Sequence, residues 1–225
     1  MKQFNPKQMA AKFDAEICAL SKKNVDNARA IRRKYSRELE LKAPQFVLDV
    51  ARRLIHTYGH RWIAYELLLN HNETFGRLRV KEIEELGKGI EGWGAVDAFG
   101  RLLSGPAWLN GQLSDAVIHR WARSKTLWCR RAALVSTVAL NMKSSGGTGD
   151  VTRTLEVCRI LVEDYEDMVV KALSWALRAL VSHDPKAVRD FLNEYEDVLA
   201  ARVKREVRNK LRTGLKNPKR KGSGI

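Results

Sequence analysis

Residues 128–135 read WCRRAALV, and residues 169–176 read VVKALSWA. With an offset of forty residues, Arg131 falls on Lys171, and each of these basic residues is followed by alanine and then by apolar positions. A third stretch, VKREVRNK, places Arg205 thirty-four residues after Lys171. Internal periods of this size are typical of HEAT-like or armadillo-like repeats, in which each helix pair buries its apolar face by stacking on its neighbours. The same pattern also fits an ordinary helical bundle.

Outside these stretches, apolar residues recur at spacings of three and four, and strand-like alternation is nearly absent. The chain is therefore predicted to be all-α, a curved solenoid of HEAT-like helical hairpins whose inner helices line a basic concave groove. Helices are predicted at 8–20, 25–38, 44–58, 61–70, 78–88, 93–103, 115–124, 127–140, 150–164, 167–182, 185–196 and 199–213. The SSGGTG segment after the helix at 127–140 is predicted to be a flexible loop.

The length of 225 residues with 44% hydrophobic content is enough for one domain with a sizeable core and too little for two large ones. We predict a single domain at 1–215 and a basic, disordered tail at 216–225. The apolar residues show neither a membrane-spanning run nor a signal peptide, so a cytoplasmic location is expected, associated with the nucleoid if the cell is prokaryotic.

The chain is strongly basic. Its 41 Lys and Arg against 26 Asp and Glu leave a net charge of +15 and a sequence pI of about 10.0. A positive surface of this strength favours polyanionic partners, with nucleic acid first.

Metal and nucleophile motifs are absent from the sequence. The three cysteines are widely spaced with no CxxC, which fits reduced structural thiols better than a disulfide framework or a zinc site. His56 and His60 lie four apart, but no HExxH pattern completes them. There is also no GxSxG motif. We therefore predict no metal and no cofactor.

Trp93 and Asp97 are the first candidates for catalytic residues. Four residues apart on a helix, they share one face, and a carboxylate in a basic groove would suit stabilising a cation or positioning water. Trp175 lies four residues after Lys171, and two tryptophan faces around a carboxylate would form a cage for a cationic ligand. The alternative places Trp93 in the core and leaves Asp97 as an exposed helix residue.

The stretches around these residues are similar to those of a known protein family. The stretches GWGAVDAFGRLL, LWCRRAAL and VVKALSWALRAL resemble the AlkD-like DNA alkylation repair glycosylases, which are built from HEAT-like repeats, and the resemblance runs from about Leu78 to Leu211. It implies that Trp93 and Asp97 form the catalytic pair, that Trp175 is the second caging tryptophan and that Arg131 contacts a DNA phosphate. The family often has an aromatic residue where this chain has Gly92.

The resemblance also implies a reaction. Relatives hydrolyse the N-glycosidic bond of cationic N3- or N7-alkylated purines in duplex DNA, leaving an abasic site, without metal or cofactor. Asp97 would stabilise the oxocarbenium-like transition state and position water. Because no lysine is singled out as a Schiff-base nucleophile, we predict a monofunctional glycosylase, and we predict that it is a monomer. Arg130, Lys171 and Arg205 are the further DNA-binding candidates.

Two other functions fit parts of the sequence. A noncatalytic DNA-structure-binding HEAT-repeat protein would keep the basic groove and could dispense with Asp97, so the presence of this carboxylate argues against it. A HEAT-type protein scaffold would bind acidic peptides in the groove and would show no preference for DNA.

Overall fold

The computed structural model describes residues 4–22 and 24–218, and every regular element in these ranges is helical, which confirms the predicted all-α helical repeat class. The chain divides into two compact units, an N-terminal unit at Met1–Leu113 and a C-terminal unit at Ser114–Ile225. The predicted tail at 216–225 lies outside the described residues from 219 onward. No helix in the described ranges has the length and apolar character needed to cross a bilayer. The single domain, the curvature and the basic groove stay predictions.

The helices of the N-terminal unit are short to medium in length and are joined by tight turns. They are α1 (Pro6–Cys18), α2 (Val25–Leu39), α3 (Pro44–His56), α4 (Arg61–Leu69), α5 (Asn72–Arg77), α6 (Val80–Leu86), α7 (Trp93–Phe99) and α8 (Gly105–Leu109). A π-helical segment, Gly100–Ser104, connects α7 to α8.

The core of the N-terminal unit forms around α3 and α4. Helix α3 packs against α1 and α4, and α4 packs in turn against α2 and α7. The rings of Phe13 and Tyr35 stack with their centroids 4.0 Å apart. The buried Glu66 on α4 accepts hydrogen bonds from Arg29 and Arg32 on α2, at 2.8 and 3.3 Å. Because an unpaired buried carboxylate would be costly, these contacts fix α2 against α4.

The helices of the C-terminal unit alternate between two layers. They are α9 (Asp115–Ala122), α10 (Leu127–Leu140), α11 (Val151–Ile160), α12 (Asp167–Leu180), α13 (Pro185–Glu194) and α14 (Ala201–Thr213). Helix α12 packs between α10 and α14, while α9 and α11 pack on α10 and α13 packs on α12. The three repeated stretches of sequence therefore lie on α10, α12 and α14, three helices in a row, as the inner helices of successive hairpins do.

The helix that begins at Trp93 does not end where its sequence predicts. The sequence predicts an end at Leu103, closed by Ser104, Gly105 and Pro106, but the helical path continues through the π-helical segment into α8. The Gly105 amide donates to the Gly100 carbonyl, five residues back. This wider turn shifts the hydrogen-bond register where Pro106, which has no N–H to donate, enters the helix.

The SSGGTG loop makes specific contacts with the end of α10. The amide of Gly147 donates to the carbonyl of Met142 at 3.0 Å, and that of Gly149 donates to the carbonyl of Leu140 at 3.1 Å. A Cβ atom added to Gly147 would lie 2.3 Å from the carbonyl oxygen of Ala139. Composition alone predicts a flexible loop here, whereas the structure gives a loop whose backbone lies directly against a helix.

We expect Gly147→Ala to lower the free energy of unfolding by about 1–3 kcal/mol, because the new methyl group meets backbone atoms that cannot rotate away. The matched control is Gly76→Ala in α5, where nothing lies within 4 Å of the added Cβ and the change is at most about 1 kcal/mol in the stabilising direction. Thermal unfolding followed by circular dichroism checks both. Equal midpoints for the two variants would show that the loop does not pack on α10.

Candidate functional site

Trp93 is the first residue of α7, and its side chain is 62% exposed. The structure describes all six tryptophans of the chain, and of these Trp93 alone is exposed. An exposed indole offers a large flat apolar face on which a partner group can stack. The interpretation that places Trp93 in the core is therefore wrong, and its indole is available for stacking.

Asp97 lies one turn after Trp93 on α7 and is half-buried. The buried side chains of Val96 and Phe99 anchor the helix. The ring of Phe99 packs edge-on against Tyr65 of α4, with the centroids 5.9 Å apart. An anchored helix fixes the direction of the side chains that it does not bury. Trp93 and Asp97 are therefore held on one face of α7, as their spacing predicts.

The π-helical segment begins three residues after Asp97. Such segments are rare and occur frequently at functional sites, because the wider turn changes the direction of the side chains around it. No feature of the sequence pattern indicated this segment.

The residue before Trp93 must be glycine for a backbone reason. Gly92 caps α7 with φ 97° and ψ 151°, a conformation that is essentially restricted to glycine. The aromatic residue that the resemblance leads one to expect at this position could not adopt this backbone without strain. The backbone at the start of α7 therefore depends on the glycine at this position.

Trp175 lies in the C-terminal unit on α12, where its side chain is half-buried. Lys171, one turn earlier, pairs with Asp167 at 2.6 Å, and Arg202 of α14 reaches the same carboxylate at 3.1 Å. The hydrogen bond from Lys171 is the main cause that lowers the pKa of Asp167, and nearby cations add to it. Lys171 is thus partly neutralised at its predicted DNA-binding position.

Arg131 and Arg130 make internal contacts. Helix α10 is buried on all sides from Arg131 onward, and Arg131 itself is 5% exposed, with its guanidinium donating to the carbonyl of Met168 at the start of α12. Arg130 donates to Asp164 at 2.6 Å and to the backbone carbonyl of Ser124 at 3.1 Å. These contacts tie α10 to its neighbours, a structural role that the sequence pattern does not reveal. The predicted phosphate contact of Arg131 stays a prediction.

Arg205 differs from these two arginines. Its side chain on α14 is 64% exposed. The adjacent Glu206 is buried, accepts a hydrogen bond from the Ser174 hydroxyl at 2.6 Å and lies 3.4 Å from the Lys216 ammonium. Because Glu206 fixes the inward face of α14, Arg205 is held facing solvent.

The predicted site residues divide between the two units. Trp93 and Asp97 share one face of α7 in the N-terminal unit, and the other five lie on the packed row of α10, α12 and α14 in the C-terminal unit. Among the described residues, one group of side chains could share a metal ion, formed by Asp14, Cys18 and His60. None of these three is a predicted site residue.

Comparison with known proteins gives one match. A family model described as "DNA alkylation repair enzyme" matches residues 7–211. No curated protein and no solved structure matches the chain significantly.

We expect Gly92→Ala to lower the free energy of unfolding by about 1–3 kcal/mol, because alanine must adopt φ 97° there although nothing blocks its Cβ. Gly94→Ala, two residues later within α7, also meets open space, and it should be neutral or stabilising by up to about 1 kcal/mol. Thermal unfolding followed by circular dichroism measures the two effects. If both variants behave alike, the special backbone at Gly92 does not set the start of α7.

Proposed function

The chain belongs to the family of DNA alkylation repair enzymes, whose model covers residues 7–211, and from this premise we propose that it is a monofunctional DNA glycosylase for cationic alkylpurines. Its substrates are N3- and N7-alkylated purines in duplex DNA, and its product is an abasic site. The observation that carries this proposal is the exposed Trp93 with Asp97 one turn behind it on α7.

The reaction places few demands on the protein. An alkylated purine already carries positive charge, so it leaves without a strong general acid. As the glycosidic bond breaks, positive charge develops on the deoxyribose, and a fixed carboxylate stabilises it better than mobile water does. Asp97 has this role in the proposal, and it also orients the water that attacks the anomeric carbon. The half-buried position of Asp97 supports the assignment, because partial removal from solvent strengthens its field.

Trp93 is assigned to the lesion nucleotide. An indole that is mostly exposed can pack against a sugar or a cationic base, and cation–π attraction contributes about 0.5–2 kcal/mol. By the resemblance, Trp175 supplies a second aromatic contact, and its half-buried side chain on α12 leaves part of the ring accessible. Neither assignment needs a deep pocket for a flipped base.

DNA binding is supported by charge. The net charge of +15 favours the phosphate backbone independently of sequence. Of the predicted contacts, Arg205 is the best placed because its side chain is mostly exposed and lies 4.0 Å from the Glu206 carboxylate, whereas Lys171 pairs closely with Asp167, which it shares with Arg202. Arg130 and Arg131 are engaged inside the C-terminal unit, so a phosphate would have to compete with Asp164 or the Met168 carbonyl for them.

The second candidate is a noncatalytic protein that binds DNA structures on the same scaffold. The internal contacts of Arg130 and Arg131 do not distinguish it from a glycosylase, because both need the fold. The two functions differ in whether the protein releases the alkylated base, and base release is therefore the decisive measurement.

Asp97→Asn is expected to lower the single-turnover rate of base release from duplex DNA containing N7-methylguanine by about 100-fold or more, because the amide keeps the shape and loses the charge. The matched control is Glu91→Gln, which removes one negative charge from an exposed side chain two residues before Trp93. Both variants change the long-range attraction to DNA equally, so a difference between them reports the site of the charge.

Both variants and the unmodified protein are compared at equal DNA occupancy, with N3-methyladenine as a second substrate. Tight binding without release of either base by the unmodified protein would establish the noncatalytic alternative. Equal rates for Asp97→Asn and Glu91→Gln would remove Asp97 from the mechanism and leave the glycosylase function standing.

The exposed and buried arginines should respond differently to the same substitution. Arg205→Gln is expected to weaken binding to duplex DNA and to reduce the slope of log affinity against log salt by about one, with no change in thermal midpoint. Arg131→Gln should lower the free energy of unfolding by about 1–3 kcal/mol, since it removes the buried guanidinium that donates to the half-buried Met168 carbonyl. Salt titrations and thermal unfolding of both variants test this. An unchanged salt slope for Arg205→Gln would exclude it from the interface.

A further inference from the structure

The end of α1 and the start of α4 bring three chemically different side chains together. Asp14 and Cys18 lie one turn apart on α1, and His60 immediately precedes α4. The Nε2 atom of His60 is 2.7 Å from Oδ1 of Asp14, and the Cys18 sulfur is 3.5 Å from the same oxygen. The nitrogen, sulfur and oxygen atoms all lie within 4.8 Å of one another.

The backbone fixes His60 in this place. Gly59 has φ 75°, a left-handed conformation that turns the chain after α3. The amide of His60 then donates to the carbonyl of Leu54 at 2.7 Å, which ties the turn to the body of α3. Because α3 packs against α1, the imidazole of His60, which follows α3, lies beside the last turn of α1.

We propose that Asp14, Cys18 and His60 form a zinc-binding site. Thiolate, imidazole and carboxylate are the three side-chain ligands that Zn²⁺ uses in proteins, and their mixture of soft and hard donors favours zinc over Mg²⁺ or Ca²⁺. In a tetrahedral zinc site, neighbouring ligand atoms lie about 3.3–3.5 Å apart. The separation of Cys18 and Asp14 has this value already, and that of His60 and Asp14 requires an opening of about half an ångström.

The local charge also favours a cation. The last turn of α1 contains no basic residue, in a chain with 41 Lys and Arg. The carbonyl end of a helix carries partial negative charge, which adds to that of the Asp14 carboxylate. Cys18 is exposed, so an ion can reach the site from solvent. On binding, the thiol proton is released to water and a water molecule fills the fourth coordination position.

An ion pair between His60 and Asp14 explains two of the three side chains. The thiol of Cys18, one turn after Asp14 on α1, donates to the same carboxylate oxygen that the imidazole contacts, which brings a third ligand type to this point. Three potential ligand atoms of different types therefore lie within 4.8 Å of one another, close enough to bind one ion after a small rearrangement. The site shares no residue with the proposed DNA chemistry, so the two proposals succeed or fail separately.

The test is titration of the full-length, metal-free protein with Zn²⁺ and, as a spectroscopic probe, with Co²⁺. The expected results are one ion per chain and a thiolate-to-cobalt charge-transfer band. Cys18→Ser and His60→Gln should each weaken zinc binding at least ten-fold and Cys18→Ser should abolish the band. The matched controls Cys129→Ser and His56→Gln should bind as the unmodified protein does.

Protection of the thiol gives a second measurement that needs no substitution. Zinc should slow alkylation of Cys18 at least ten-fold and leave the rate at the half-buried Cys129 unchanged. Zinc should also raise the midpoint of thermal unfolding, because it joins α1 to α4 in the folded state only. Binding with equal affinity to Cys18→Ser, or the absence of any zinc-dependent protection of Cys18, would overturn the proposal.

Discussion

Helix α12 cannot bury its apolar face alone, and the C-terminal unit is arranged around this constraint. It packs between α10 and α14, and polar contacts at each side fix its position. On one side Arg131 of α10 donates to the Met168 carbonyl, and on the other Ser174 donates to the buried Glu206 of α14. Each contact satisfies a group that would be costly to bury unpaired. The same contacts determine which basic side chains face solvent. The stacking of the helices therefore determines which cations are available to contact DNA.

In the N-terminal unit, some residues of helix α7 hold it in the core and others face solvent. Phe99 and Val96 hold it against the core, and the glycine backbone at Gly92 sets its beginning. These constraints leave Trp93 in solvent and Asp97 half-buried on the same face. In the proposed reaction, the substrate already carries the charge that makes its base a good leaving group. The protein then has to supply position and field rather than a proton.

The sequence predicts what local periodicity controls. The all-α class, the row formed by α10, α12 and α14, and the shared face of Trp93 and Asp97 all follow from spacings of three, four and about forty residues. It does not predict the burial of Arg131. The spacing of apolar residues around a basic residue is the same whether that residue faces solvent or the next helix. It also misses the cluster of His60 with Asp14 and Cys18, which depends on how α3 packs against α1.

The π-helical segment between α7 and α8 acts as an angular spacer. A turn closed five residues apart holds about one residue more than an α-turn, and one residue corresponds to about 100° around the helix axis. Trp108 on α8 must point into the core, where it is fully buried. The extra residue changes the angle around the helix axis between Trp108 and Trp93. One continuous helical path therefore holds the indole of Trp108 in the core and directs that of Trp93 into solvent. Lengthening or shortening this segment by one residue would change the direction of the candidate site without altering any residue in it.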